Sequence, residues 1–251
     1  MQTVHRLLDI IEILSTASNQ RLKDIAKISN LNKSTAHRFL KTLIDQGYVY
    51  KNEVEETYNL TFKIVRIGKE FMNHFNINSL ARPYLEKISA ECGETLHLTA
   101  LNNNSIVYID KIEAKNKSII VSSFIGKSQP LHSTASGKIF LSYMDSEEFN
   151  KVWSGLDLTA KTKYTIVNKK DMLAELKNIR SQGYAIDNQE NEEGIACISA
   201  PVFNIDNKAI YAISITIPLI NNLNNYKEKL LSFLPILQEN TLELSKKLGS
   251  H

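Results

Sequence analysis

Residues 31–49 read LNKSTAHRFLKTLIDQGYV. Ala36, Phe39, Leu40, Leu43 and Ile44 recur every three or four positions, the apolar stripe of a helix with one buried face. Asn32 or Ser34 can cap its start, and Gly47, tolerant of positive φ, can end it. Off the stripe lie Lys33, Ser34, Thr35, His37, Arg38 and Lys41, side chains that donate to phosphates and base edges. Upstream, Leu22, Ile25 and Ala26 mark a short helix ended by SNLNK (29–33). Before that, Val4, Leu7, Leu8, Ile11 and Leu14 mark a longer one broken by TASNQ (16–20). Three helices with a tight turn between the last two predict a helix-turn-helix, with the start of the third entering a DNA major groove. YVYK (48–51) and TYNLTF (57–62) read as two strands of a wing around the tip NEVEE (52–56). Glu53, Glu55 and Glu56 at that tip repel phosphate, so DNA affinity is expected mainly from the third helix.

Charge follows the same outline. Between Arg21 and Lys51 stand seven Lys/Arg and two Asp/Glu, a local +5 in a chain whose net charge is +3. The positive field is thus concentrated on the helix-turn-helix, as nucleic-acid contact requires. At 251 residues and 43% hydrophobic, the chain is a globular protein with room for two domains. No apolar run approaches the ~20 residues of a membrane span. The start runs straight into a charged amphipathic segment, unlike a secretory signal. Cys92 and Cys197 form no metal-type or redox-type pair. The expectation is a reduced, cytoplasmic setting without membrane or cofactor.

In FKIVRIGKEFMNHF (62–75), Ile64, Ile67, Phe71 and Phe75 form one stripe of a linker helix. The stripe needs cover, from a partner subunit or from the chain's own second domain. Pro83, after NSLAR, marks a further helix start. The domain division expected is 1–62, a 63–78 linker and 79–251.

Downstream, TLHLTAL (95–101), SIVYIDKI (105–112) and SIIVSSF (118–124) are β-rich, with a hairpin turn at Asn102–Asn104. Helix is expected from PLHSTASGK (130–138) to about Met144, and from about Lys169 to Gln182 between Asn168 as cap and Gly183 as stop. GYAIDNQ (183–189), IACISAPVFN (195–204) and AIYAISITI (209–217) are strands, the last two joined through Asp206-Asn207. One amphipathic helix is expected from Asn225 to Leu248. Strands and helices segregate, predicting an α+β domain around a mostly antiparallel sheet.

Enzyme motifs fail here. A nucleophile elbow needs Gly-x-Ser-x-Gly, which is absent. A phosphate loop needs a Gly five residues before Gly126-Lys127-Ser128, where Val121 stands; Gly137-Lys138 leads into Ile139. No two His stand four apart, and Cys92 with His97 alone is a weak metal hint. HSTASGKIF remains as a helix start rich in small residues: an anion site, or an ordinary cap. Asp187 in an apolar strand needs partners unless it sits at an exposed strand end. Cys197 suits core filling. Ser214 and Thr216 alternate toward one face.

LNKSTAHRFLKTLIDQGYV, with its Ser-Thr-x-x-Arg pattern, and the preceding LKDIAKISN resemble the second and third helices of the IclR family of bacterial transcriptional regulators. PLHSTASGK resembles that family's effector loop, and GYAIDNQENEEGIACISAPV its second signature, in the family's order over nearly the whole chain. The resemblance implies a winged helix-turn-helix, a linker that pairs subunits, and a GAF-like effector domain. It further implies that the Ala135 and Ser136 amides hold a carboxylate. Asp187, Cys197, Ser214 and Thr216 would line the same pocket, with Leu131, Val121 and Ile195 as its apolar wall.

The expected protein is a DNA-binding repressor, dimeric or tetrameric, whose affinity for double-stranded operator DNA is set by a small organic acid. Resemblance to repressors of sugar-acid catabolism suggests a keto-acid. The rival readings are a two-domain enzyme acting on a small carboxylate with a nucleic-acid-binding appendage, and a ligand-independent architectural DNA binder.

Overall fold

A computed structural model describes residues 2–115, 123–219 and 225–250. The chain divides after Phe75 into two compact units. In the first, helices α1 (Gln2–Thr16), α2 (Leu22–Ile28) and α3 (Lys33–Asp45) accompany strands β1 (Gln20–Arg21), β2 (Val49–Asn52) and β3 (Thr57–Leu60), then helix α4 (Lys63–His74). Ile10, Leu14, Ile25, Phe39, Leu40, Leu43, Val49 and Tyr58 form its core. The Asn32 side chain accepts the Thr35 amide at 2.8 Å, which settles the choice of cap for α3. Gly47 follows with φ +73°.

The wing is an antiparallel hairpin with Val49 opposite Leu60 and Asn52 opposite Thr57. Strand β1, two residues long, adds to its other edge with Gln20 opposite Tyr58 and was not expected. Asn59 ties that edge by accepting the Asn19 amide at 2.7 Å and donating back to the Asn19 side chain at 3.0 Å.

Two stripes are displaced from expectation. In α1 the inward face runs through Ile10 and Leu14, four residues apart, whereas Val4 and Leu8 are exposed. Ile44 is exposed at the end of α3, where the helix outruns the core. Helix α4 buries none of its residues: Ile67 and Phe71 are exposed, and Ile64 and Phe75 are half-buried.

The second unit runs α5 (Ile77–Cys92), β4 (Thr95–Asn102), β5 (Ser105–Ile112), β6 (Ser128–Pro130), α6 (Ala135–Tyr143), α7 (Ser146–Ser154), α8 (Lys169–Gln182), β7 (Ala185–Asn188), β8 (Ile195–Phe203), β9 (Ala209–Pro218), α9 (Tyr226–Ser232) and α10 (Leu234–Lys247). Its sheet has the order β6-β5-β4-β9-β8-β7, and every adjacent pair is antiparallel. The architecture is α+β.

Alternation along the strands separates two buried faces. Leu96, Leu98, Ile198, Ala200, Ile213 and Ile215 share one core cluster with Leu85 and Ile88 of α5 and Leu237 and Leu244 of α10. The intervening residues His97, Thr99, Cys197, Ser199, Ser214 and Thr216 are polar or small and face the other way. A second cluster, with Ile139 and Phe140 of α6, Trp153 of α7 and Met172 and Ile179 of α8, builds that side.

Several expectations change in this unit. Pro83 lies inside α5, not at its start, because Asn76 caps the helix by accepting the Asn78 and Ser79 amides. The buried run Ala81, Leu85 and Ile88 then carries the helix past an exposed proline. The single helix expected over 225–248 is two: Phe233 caps the end of α9 and the start of α10, and Pro235 sits in the first turn of α10. Helix α7 and strand β6 were not foreseen, although Asp145 is a side-chain cap for α7, accepting the Glu148 amide at 2.8 Å. SIIVSSF falls mostly outside the described residues; its last two, Ser123 and Phe124, are not in a strand.

Candidate functional site

The third helix presents Lys33, Ser34, His37, Arg38 and Lys41 to solvent, with Thr35 half-buried. The same cap that starts α3 holds the Ser34 hydroxyl, 2.8 Å from the Asn32 side chain. Alongside runs a groove lined by Arg21, Lys23, Lys33, His37 and Lys51 and bounded by Glu55 and Glu56 of the wing. Lys51 is engaged by Glu53 at 2.7 Å. The basic face therefore belongs to β1, α2 and α3, with the wing tip acidic beside it.

In the second unit the small-residue motif folds as a turn into α6. Thr134 caps the helix, its hydroxyl accepting the Gly137 amide at 3.1 Å and its carbonyl the Lys138 amide at 2.9 Å. The Ala135 and Ser136 amides thus keep no acceptor among the described residues, as helix starts leave them. A Cβ on Gly137 would stand 2.3 Å from the Leu131 carbonyl oxygen, so only glycine lets the turn fold this close to the helix.

The free amides border a cavity that also meets Asp187, Ile195, Cys197, Ser214 and Thr216. About 40 Å³ of it is open to the centre of a water molecule, a small, largely enclosed space. Leu131 is not part of its wall; the turn drives this side chain into the core with Ile139 and Phe140, and Ile106 takes the apolar role beside Ile195. Val121 lies outside the described residues.

Cross-strand register explains the assembly. Asp187, Cys197, Thr216 and Thr95 stand opposite one another across β7, β8, β9 and β4. Next to them, Ser199, Ser214 and His97 form a second polar row. Thr216 reaches the Cys197 thiol at 3.3 Å and His97 Nδ1 at 3.4 Å. Ser214, 5% exposed, has no side-chain hydrogen bond among the described residues.

His97, in the sequence only a weak metal hint beside Cys92, lines the cavity, stacked on Tyr108 at 4.3 Å with Nε2 2.8 Å from the Ser123 hydroxyl. Burial, reinforced by Lys111, pushes its pKa down to about 3, so the ring is neutral. Its signal in the sequence was the alternation Thr95, His97, Thr99 along one strand face.

Asp187 is buried, not exposed at a strand end. Its Oδ1 accepts the Glu190 amide at 2.7 Å and the Asn191 amide at 3.4 Å. Burial, with Glu190 nearby, raises its pKa to about 7. Burial likewise pushes the Cys197 thiol and the Tyr108 phenol up, keeping both neutral. Beside this row, Lys138 is 1% exposed and pairs with Glu190 at 2.6 Å and Glu175 at 3.1 Å. Desolvation alone would lower its pKa, but the two carboxylates hold it above its ordinary value. Nothing in the sequence reading picked out this network.

The chemistry is that of binding. Among the described residues the Ser136 hydroxyl hydrogen-bonds Ser199, at 3.0 Å, and Ser199 in turn bonds the Ile213 carbonyl. That partner is a hydroxyl and not a base that could make a nucleophile of Ser136. Among the described residues no cluster of side chains is suited to a metal ion, and no helix is long and apolar enough to cross a membrane.

Comparison with known proteins matches both units. Residues 3–53 match the IclR helix-turn-helix domain, and residues 69–246 the C-terminal domain of bacterial IclR transcriptional regulators. Over 250 residues the chain is 34% identical to the HTH-type transcriptional regulator XynR of Escherichia coli K12, covering 99% of this chain and 98% of XynR. It is 34% identical to the regulator KdgR of Dickeya chrysanthemi over 252 residues, 99% of this chain and 81% of that one. The crystal structure of Thermotoga maritima IclR aligns with a TM-score of 0.65 at 32% identity, covering 99% of both chains. The C-terminal domain of E. coli KdgR aligns over 70% of this chain and 99% of its own, with a TM-score of 0.62. With both domain families matched along its length, the chain belongs to the IclR family of bacterial transcriptional regulators, a family of DNA-binding proteins rather than enzymes.

Proposed function

We propose that this regulator is a repressor whose hold on operator DNA is set by a small organic acid in the cavity at the start of α6. The observation that carries the reading is the pair of free amides, Ala135 and Ser136, at the positive end of a helix facing an enclosed polar cavity. Backbone donors and the helix dipole there suit one carboxylate. Ser214, Thr216 and Asp187 line the same space and suit a keto or hydroxyl oxygen on the ligand. Repression as the sign of control follows relatives such as the repressors YiaJ and IclR of E. coli.

Lys33, Ser34, Thr35, His37, Arg38 and Lys41 would meet DNA, with residues 63–78 connecting the two domains. Pairing along the α4 stripe would set two recognition helices on a two-fold operator. Ligand binding to two conformations with unequal affinity would couple the sites by about 1–3 kcal/mol.

Fluorescence anisotropy of labelled upstream DNA, titrated with pyruvate, glycolate and D-gluconate, tests this. A ligand should release DNA from the wild type. Ala135→Leu, which blocks approach to the amides, should abolish release while leaving affinity without ligand unchanged. Release that persists in Ala135→Leu would move the effector elsewhere; turnover of any ligand would revive the enzyme reading.

A further inference from the structure

Charge around Asp187 does not balance with an anion present. The buried cation beside it, Lys138, is already shared between Glu190 at 2.6 Å and Glu175 at 3.1 Å. Asp187 itself has only two amides, both on Oδ1; its other oxygen has no partner among the described residues. A ligand carboxylate on the Ala135 and Ser136 amides brings a further negative charge into the same cavity. Two carboxylates sharing a poorly solvated site do not both stay ionised.

We infer that Asp187 receives the effector in its protonated form, donating to a neutral oxygen of the ligand, so that binding the organic anion takes up a proton. The inference rests on the effector reading of this cavity.

The other groups around Asp187 do not serve as the proton carrier. Cys197 on β8 and Tyr108 on β5 are held neutral by burial, their pKa values pushed up. His97 on β4 is neutral and far from taking a proton near neutrality. Glu190, its pKa raised by burial and lowered again by Lys138 of α6, pairs with that cation through Oε1, and Lys138 also binds Glu175 of α8. Lys127, before β6, and Glu192, after β7, line the same cavity with opposite charges. Asp187, whose carboxyl titrates at about 7, is left to make up the balance. The proton comes from solvent and sits on the oxygen without a protein partner. This also fixes a preference: a protonated carboxyl offers a donor, which suits a ketone or ether oxygen beside the carboxylate.

The test is calorimetry of the full-length protein with pyruvate, from about pH 6 to about pH 8.5, in two buffers of different ionisation enthalpy. Affinity should fall toward about tenfold per pH unit above about pH 7, with close to one proton taken up per ligand bound. Asp187→Asn keeps a donor in the same place, so it should bind pyruvate with flat pH dependence and no uptake. In parallel, carboxyl ¹³C spectra of the ligand-free protein should show one aspartate titrating near neutrality that is missing from Asp187→Asn. Pyruvate binding that is equally tight across the range, or spectra in which every aspartate titrates normally, overturns the inference alone. Absence of binding by pyruvate, glycolate and D-gluconate overturns the effector reading and the inference with it.

Discussion

Lys138 and Asp187 show how far single residues depend on distant ones. An ammonium shut away from water is stable only when paired, and its partners Glu175 and Glu190 lie 37 and 52 residues further along the chain. Lys138→Met strands Glu190 in the interior and should cost about 3–5 kcal/mol in urea unfolding, whereas Lys138→Met with Glu190→Met together should recover most of it. A single variant as stable as wild type would mean the pair is solvated. Asp187 gives a test with a sign. Its folded pKa of about 7 lies above the ordinary 3.8, so its contribution is full below 3.8 and is lost as pH rises through 7. Asp187→Asn should therefore be more stable than wild type at about pH 8, by on the order of a few kcal/mol, and show no gain below about pH 4. A pH-independent difference between the two proteins would refute that. Of these residues only Asp187 stood out in the sequence, as a carboxylate in an apolar strand. A lysine following Gly137 looked like part of a failed phosphate loop, since no local pattern announces a partner so remote.

At the scale of elements, helices whose ends are written in side chains were readable and those ended by context were not. Asn32 with Gly47, and Asn168 with Gly183, are cap and stop as expected, the two glycines at φ +73° and +77°. Strand β1 escaped because two residues carry no periodicity and exist as a strand only against β3. The run from 225 to 248 kept one apolar pattern through Pro235, so periodicity hid a break that proline chemistry imposes. Helix α3 carries the next prediction. Arg38→Ala should weaken operator binding by about 1–3 kcal/mol if it reads a base, with random DNA much less affected. Equal loss on both would make Arg38 a phosphate contact. Helix α4 carries another. Phe71 is 62% exposed, and its ring leans on Phe75 at 5.6 Å. Phe71→Asp should lower the oligomeric state in light scattering with little change in the unfolding of the single chain. An unchanged oligomer would mean that the stripe does not pair subunits.

The whole molecule separates reading from sensing, since the positive face lies in the unit ending at Phe75 and the polar cavity in the unit that follows. In the sequence the basic segment ends at Lys51 and β-rich alternation begins only at Thr95, with the linker stripe between them. The cavity was legible only in part: alternation placed Ser214 and Thr216 together, but the pairing of β4 with the remote β9 was needed to bring His97 to them. The sheet order has one more consequence, for how the protein is made. Strand β9 is the last of the six to leave the ribosome, yet it lies between β4 and β8 in the middle of the sheet. The early strand β4 must wait for it, so the sensing half cannot close until Pro218 has emerged, long after the first unit is complete. During synthesis, protease resistance of the second half should appear only once that residue clears the exit tunnel. A gene interrupted between these points would yield a protein whose DNA-binding unit is intact and whose sensor is missing.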